Sequence, residues 1–175
     1  VYEGHGIQPD VKIEPEMLST VTAHLYAQNI IFKYANKFYR EHKSIASPEE
    51  FEISDDIYDD FVKFVEEQDF SYVSESEKDF DELVETAKTE GYYDNIKEQL
   101  DILEEELRSH KDNDLINNKE EISEILKMEI VGRYYFQKGK IISSLKDDPE
   151  LNRAVEILLD SNGDNEYENI LKGVN

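Results

Sequence analysis

Between Pro48 and Pro149 the chain contains no proline. Proline removes a backbone donor and clashes with the preceding turn, so this interval is free to run as uninterrupted helices. Its apolar residues recur every three or four positions, the period of a helix with one buried face. The strongest run spans Lys119 to Leu145. Ile122, Leu126, Ile130, Tyr134 and Ile141 fall on one face, with Ile125, Met128, Val131, Tyr135 and Ile142 beside them. A stripe this wide predicts one continuous central helix touched by several neighbours.

The flanking segments follow the same rule. Leu18, Val21, Leu25, Phe32, Ala35 and Phe38 share a face of a long first helix. Lys33, Lys37, Arg40 and Lys43 sit toward its C-terminal end, where cations suit the helix dipole. Ser47-Pro48-Glu49-Glu50 has the form of a capped turn before Phe51, and Ser54 starts a helix carrying Ile57, Phe61, Phe64 and Val65. Ser74 and Glu77 are spaced as a capping box ahead of Phe80, Leu83, Val84 and Ala87, and Gly91 is a stop. Ile96, Leu100, Leu103 and Leu107 make the next stripe. Asp148-Pro149 opens a helix with Leu151, Ala154, Val155, Leu158 and Leu159 inward, and Tyr167, Ile170 and Leu171 mark a last short segment.

Residues 1–14 differ. Gly4, Gly6 and Pro9 precede the alternation Val11-Lys12-Ile13-Glu14, which predicts a turn and a short strand. The expected fold is therefore all-α: an irregular bundle of six or seven helices over residues 15–175, preceded by a short non-helical or strand lead-in over 1–14.

Asp and Glu number 42 against 19 Lys and Arg, a net charge of −23. Like-charge repulsion argues against nucleic acid or an anionic membrane face as partner. The 38% hydrophobic content supports a core, and no apolar run approaches the ~20 residues that cross a bilayer. There is no cysteine, which excludes disulfides, thiolate catalysis and Cys-based zinc sites. No signal-peptide pattern is present, and the opening at Val1 lacks a helix start. The chain reads as a piece of a longer protein, and a localisation signal, if there is one, is then expected upstream.

Little in the residues points to chemistry of the chain's own. There is no Gly-x-Ser-x-Gly turn; Ser47, Ser54 and Ser74 are explained as caps. His5, His24, His42 and His110 are scattered rather than paired at metal-ligand spacing. The stretch Asp160 to Glu166 is superficially like a calcium loop, but Gly163 stands fourth from Asp160 where an EF-hand needs glycine sixth. It reads better as a helix stop followed by a helix start. The pairs Asp55-Asp56 and Asp59-Asp60 and the run Glu104-Glu105-Glu106 suit solvated helix faces. Tyr134-Tyr135-Phe136 suits core packing. Arg133 needs an acceptor if buried, and Glu129 and Gln137 lie one turn away.

Taken as strings, two regions resemble a known family. Val1-Tyr2, Gly4, Gly6-Ile7 and Pro9-Asp10-Val11 resemble the glycine-rich segment that closes the protease domain of S41 C-terminal processing peptidases, with Glu3 and His5 where that family often has glycine. Phe32 to Tyr39, Asp60 to Phe64, Glu77, Glu90-Gly91-Tyr92-Tyr93, Glu129 to Gly139 with its Arg133-Tyr134-Tyr135 block, and Lys146 to Pro149 resemble the helical tail that follows it in S41 peptidases of the Bacteroidetes type. The resemblance implies a noncatalytic C-terminal helical domain of an exported serine peptidase, in the periplasm or cell envelope. It implies a Ser nucleophile, a Lys base and a PDZ domain upstream of Val1. No catalytic residue, cofactor or metal ligand is carried onto this chain. Gly4, Gly6, Ile7, Pro9, Asp10, Arg133, Tyr134 and Tyr135 stand as structural motif positions. The implied partners are the upstream protease domain, a second copy of the chain, and the parent's protein substrates. Two other readings stay open: a free-standing acidic helical adaptor for a basic protein, and a metal-dependent hydrolase built from helix-borne carboxylates.

Overall fold

The fold is all-α, as the periodicity predicts. The computed structural model describes residues 9–14, 17–159, 163 and 165–173. Among them lie nine helices and no strand: α1 (Thr20–Ala27), α2 (Ile30–Glu41), α3 (Asp55–Glu66), α4 (Glu75–Glu90), α5 (Tyr93–Asp112), α6 (Asp114–Asn117), α7 (Lys119–Ser144), α8 (Pro149–Leu158) and α9 (Glu166–Lys172). The local signals work as chemistry. Ser54 Oγ accepts from the Ile57 amide at 3.3 Å. Ser74 and Glu77 form a complete capping box, and Gly91 ends α4 at φ 78°. Asp148 caps α8 by accepting from the Leu151 amide at 2.9 Å, with Pro149 in the first turn. Ser47 to Phe51 makes only a turn, as expected, and it inserts Phe51 into the core.

The expected first helix is two helices. Asn29 takes a left-handed conformation, φ 60°, which asparagine tolerates better than most residues, and the chain bends between α1 and α2. The bend changes which residues point inward. Ile31 and Tyr34 are buried, while Phe32, expected inward, is turned out and half exposed; Leu18, before the N-cap, is also exposed. Ser19 starts α1 and also binds Glu121 of α7, its Oγ at 2.8 Å and its amide at 3.1 Å. A carboxylate at a helix N-terminus is favourably placed against the dipole.

The core is the contact of α1, α2, α3 and the first part of α7. Leu25, Ile31, Phe61, Ile122, Leu126 and Ile130 are wholly buried in it. Tyr34 crosses the centre, its ring edge-on to Phe61 at 5.2 Å and its hydroxyl donating to Ile57 O and Asp60 Oδ2 at 3.0 Å each. Burial, followed by that hydrogen bond to Asp60, pushes the Tyr34 phenol well above its ordinary pKa. Tyr58 is buried beside it, donates to Leu115 O at 2.5 Å, and is pushed up to about 12 by burial.

Continuity through Lys119 to Leu145 does not hold. At Phe136 the backbone takes φ 56°, ψ −156°, at the edge of a region used almost only by glycine and costing other residues about 1–3 kcal/mol. A straight helix would put residues 127 and 147 about 30 Å apart. Instead Lys127 lies 3.7 Å from Asp147, and Lys140 pairs with Glu129. The chain doubles back, and the residues after Phe136 form an arm lying along the body of α7. Tyr135, Phe136 and Ile141, expected in the core stripe, are therefore at the surface, with Phe136 76% exposed. The reversal outweighs the apolar period because it closes those ion pairs across the break.

The outer elements bury less. In the α4–α5 pair Ala87 and Leu100 are buried, while Leu83 and Leu103 are not. On α8 the buried residue is Ile157; Leu151, Ala154, Val155, Leu158 and Leu159, expected inward, face out. Among the described residues these side chains stay exposed, with Ala154 and Leu158 lining an open groove shared with residues 9–14. Residues 9–14 are non-helical, as expected, but do not make the strand read from the Val11–Glu14 alternation, since among the described residues no strand pairs with them.

Candidate functional site around Arg133

Of the motif positions singled out in the sequence, Arg133, Tyr134 and Tyr135 come together and hold three elements in register. The Arg133 guanidinium donates to Glu129 O at 2.8 Å, to the Glu129 carboxylate, to Asn36 Oδ1 at 3.1 Å and to Phe32 O at 3.3 Å. It also lies 4.6 Å from the centroid of the Phe32 ring, within reach of a cation–π attraction. Its side chain is only 13% exposed. A charge so placed must be paired and fully hydrogen-bonded, and the planar fork of arginine meets that need where lysine does not. Glu129 is the acceptor expected one turn back. Gln137 is not, because the break at Phe136 carries it off the helical position from which it would accept.

Glu129 is shared. It also accepts from Lys140 of the arm. Burial raises the Glu129 carboxyl, but the hydrogen bonds from Lys140 and Arg133 outweigh that and hold it below the usual carboxylate range. One buried carboxylate thus ties α2, the body of α7 and the arm.

The tyrosines fasten the segment after α2. Tyr134 OH donates to His42 O at 2.7 Å, and its ring meets Tyr39 edge-on at 4.8 Å. Tyr135 OH donates to Ala46 O at 3.1 Å. These are packing roles reached through phenol tips, not a stacking platform for a ligand. Around the cluster Tyr26, Phe32 and Phe136 are exposed and line one groove with Arg133 and Lys140.

A second cluster lies at the far end of the arm. Lys127, nearly buried, reaches Glu52 at 3.0 Å and Asp147 at 3.7 Å, and Lys146 reaches the other Glu52 oxygen at 3.1 Å. The hydrogen bond from Lys127 keeps the Glu52 carboxyl below its ordinary pKa. Ser143 is buried beside this cluster, and its hydroxyl has no hydrogen-bond partner among the described residues. Sequence reading missed Lys127, because a lysine on an apolar helix carries no mark of partners 75 and 20 residues away.

Of the opening string, Gly4, Gly6 and Ile7 lie outside the described residues. Pro9 and Asp10 lie in the lead-in, and residues 9–14 share an open apolar groove with Ala154, Ile157, Leu158 and Ile170. Residues 9–14 therefore lie beside α8 and α9, next to the exposed residues of α8.

The remaining candidates stay apart. His24 stacks on Tyr72 at 5.3 Å and His42 on Phe38 at 3.9 Å. Asp60 is half exposed and holds Lys37 at 2.7 Å. Among the described residues no group of three or more His, Asp or Glu converges in a way that could hold a metal ion. No helix among them is long and apolar enough to cross a membrane. The glycine at position 163 is described, but most of the Asp160 to Glu166 loop is not.

No curated protein matches the chain. No solved structure matches it either. The family model described as "Probable PDZ-protease, C-terminal helical domain" matches residues 21–158, from the first turn of α1 to the end of α8. That interval contains the core, the Arg133 cluster and the arm, and by it the chain belongs to the family of C-terminal helical domains of probable PDZ-proteases.

Proposed function

We propose that the chain is the noncatalytic helical tail of an exported serine peptidase of the S41 type, and that it packs on the protease core through the uncovered face of α8. The supporting observation is the placement of residues 9–14. Pro9 to Glu14 share an apolar groove with Ala154, Ile157 and Leu158 of α8 and Ile170 of α9, and Leu151, Val155 and Leu158 of the same helix are exposed. Contiguous apolar side chains rimmed by charge suit a protein interface. In the parent the lead-in over residues 1–14 is the end of the protease domain, the Ser nucleophile and Lys base stand upstream, and hydrolysis proceeds through an acyl-enzyme in the periplasm or cell envelope. The tail fixes the geometry of access to that site.

Leu158→Asp with Leu159→Asp tests the reading in the intact parent. Both side chains are mostly exposed, so the bundle itself keeps its melting behaviour. The expected result is a larger radius in small-angle scattering, faster limited proteolysis after Glu14 and altered peptide turnover. An unchanged radius and turnover would remove the proposed contact. Saturable, mutation-sensitive peptide cleavage by the 175-residue chain alone would overturn the noncatalytic assignment.

The net charge of −23 supports a second reading, an acidic adaptor for a basic protein. It requires salt-sensitive binding to such a partner and no affinity for an S41 core.

A further inference from the structure

We propose that two copies of this chain exchange the arm that follows Phe136: α7 straightens through the break, and each arm docks on the body of the other copy. The inference stands on α7 itself and holds whether or not a peptidase core lies upstream.

Three observations carry it. The break is local and strained. Phe136 has positive φ without being glycine, and no proline or other chemical stop accounts for the reversal. The closed form also leaves no room for a side chain there. A Cβ on Gly139 would sit 2.2 Å from the Tyr135 Cβ and 3.1 Å from Val131 Cγ1, whereas residues four apart in a continuous helix keep their Cβ atoms about 5–6 Å apart. A Cβ on Gly132 would meet the Lys140 stem at 2.3 Å. Second, the sequence on both sides is helix-forming, and the apolar stripe of Tyr134, Tyr135, Ile141 and Ile142 is continuous only if α7 is straight.

Third, the arm is held by contacts that a second copy offers identically. Lys140 pairs with Glu129, Asp147 with Lys127, and Lys146 with Glu52. An arm opened in isolation leaves Lys127 and Glu129 short of partners in a poorly solvated site. An arm opened against a second copy remakes every pair, which is why exchange of an identical element is a low-cost route to a dimer. The exposed rings of Phe136, Phe32 and Tyr26 lie at the crossing point. A chain of charge −23 repels its copy, so exchange is favoured by salt rather than weakened by it.

Light scattering coupled to size-exclusion chromatography of the 175-residue chain, across concentration and salt, reads the assembly state. The expected result is a dimer whose fraction rises with both. Gly139→Ala crowds the closed form of both copies and raises the dimerisation constant by roughly a hundredfold, a factor of about ten for each overpacked methyl. Phe136→Gly fits the closed backbone and loses the dimer. The absence of cysteine allows spin labels at Glu120→Cys and Ile141→Cys in a chain diluted into unlabelled protein; a straight α7 separates these positions by about 32 Å. Dimers must contain that long intrachain distance and monomers a much shorter one. Strictly monomeric wild type at high concentration and salt, a Phe136→Gly chain that dimerises like wild type, or a dimer retaining the short distance would each overturn the exchange. If Gly139→Ala fails to fold, the wild-type distances and Phe136→Gly decide alone.

Discussion

Removing the Arg133 side chain offers a sharp test of how the bundle is held. Arg133→Ala deletes donors to Glu129 O, the Glu129 carboxylate, Asn36 Oδ1 and Phe32 O, and the contact with the Phe32 ring. Glu129, itself only 15% exposed, is then left with Lys140 alone. Breaking a buried pair by deleting one partner typically costs 3–5 kcal/mol. Lys140 still compensates part of the stranded charge, so the lower end applies, about 3 kcal/mol. For a chain of this size each kcal/mol moves the melting temperature by about 2–4 °C, so a fall of about 6–12 °C is expected by calorimetry, with the urea midpoint moving in the same direction. Arg133→Lys keeps the charge and loses the fork, and falls between the two. Arg108→Ala is the internal control. That side chain pairs with Glu104 at the surface of α5, where such pairs contribute little, and the variant melts close to wild type. If Arg133→Ala melts no lower than Arg108→Ala, the three-element clamp is not a stabilising device.

Three further outcomes follow from the same contacts. Glu129→Gln is destabilising near neutral pH, and the gap to wild type closes as the pH falls through the lowered Glu129 pKa; a carboxyl whose folded pKa is depressed contributes above its unfolded value, near 4.3, and loses that contribution on acidification, which urea midpoints across pH 2.5–7 read directly. Leu126→Ala, at a wholly buried position, loses about 2–5 kcal/mol in chemical denaturation, while Leu159→Ala, mostly exposed on α8, changes the isolated chain by less than about 0.5 kcal/mol. Ser74→Ala removes one half of the capping box and costs about 1 kcal/mol, read as faster amide exchange in the first turn of α4.

Sequence signals located the helices where the information was local. Ser54, the Ser74–Glu77 box, Gly91 and Asp148-Pro149 each act within four residues, and each works as expected. The stripe over Ile122, Leu126, Ile130 and Val131 likewise marks the core. What the sequence hid was non-local. Asn29 bends the chain where Gln28 Nε2 reaches Ser71 O, 43 residues on. Phe136 breaks α7 where three ion pairs close across the fold. Tyr58 stands among acids and outside the expected stripe of Ile57, Phe61, Phe64 and Val65, yet its ring fills the core. At the site, Glu129 was legible as the Arg133 partner because it is four residues away. Asn36 and Phe32, about 100 residues distant, were not. The stripe on α8 was legible as apolar but not as uncovered, because the pattern says that a face wants burial and not what supplies it.

Hydrogen exchange along α8 tests the central claim most directly, comparing the 175-residue chain with the intact parent polypeptide. If the tail packs on its protease core through α8, amides of residues 151–158 exchange at least tenfold more slowly in the parent, while those of α4 and α5 are unchanged. Equal exchange of α8 in both proteins would contradict the account.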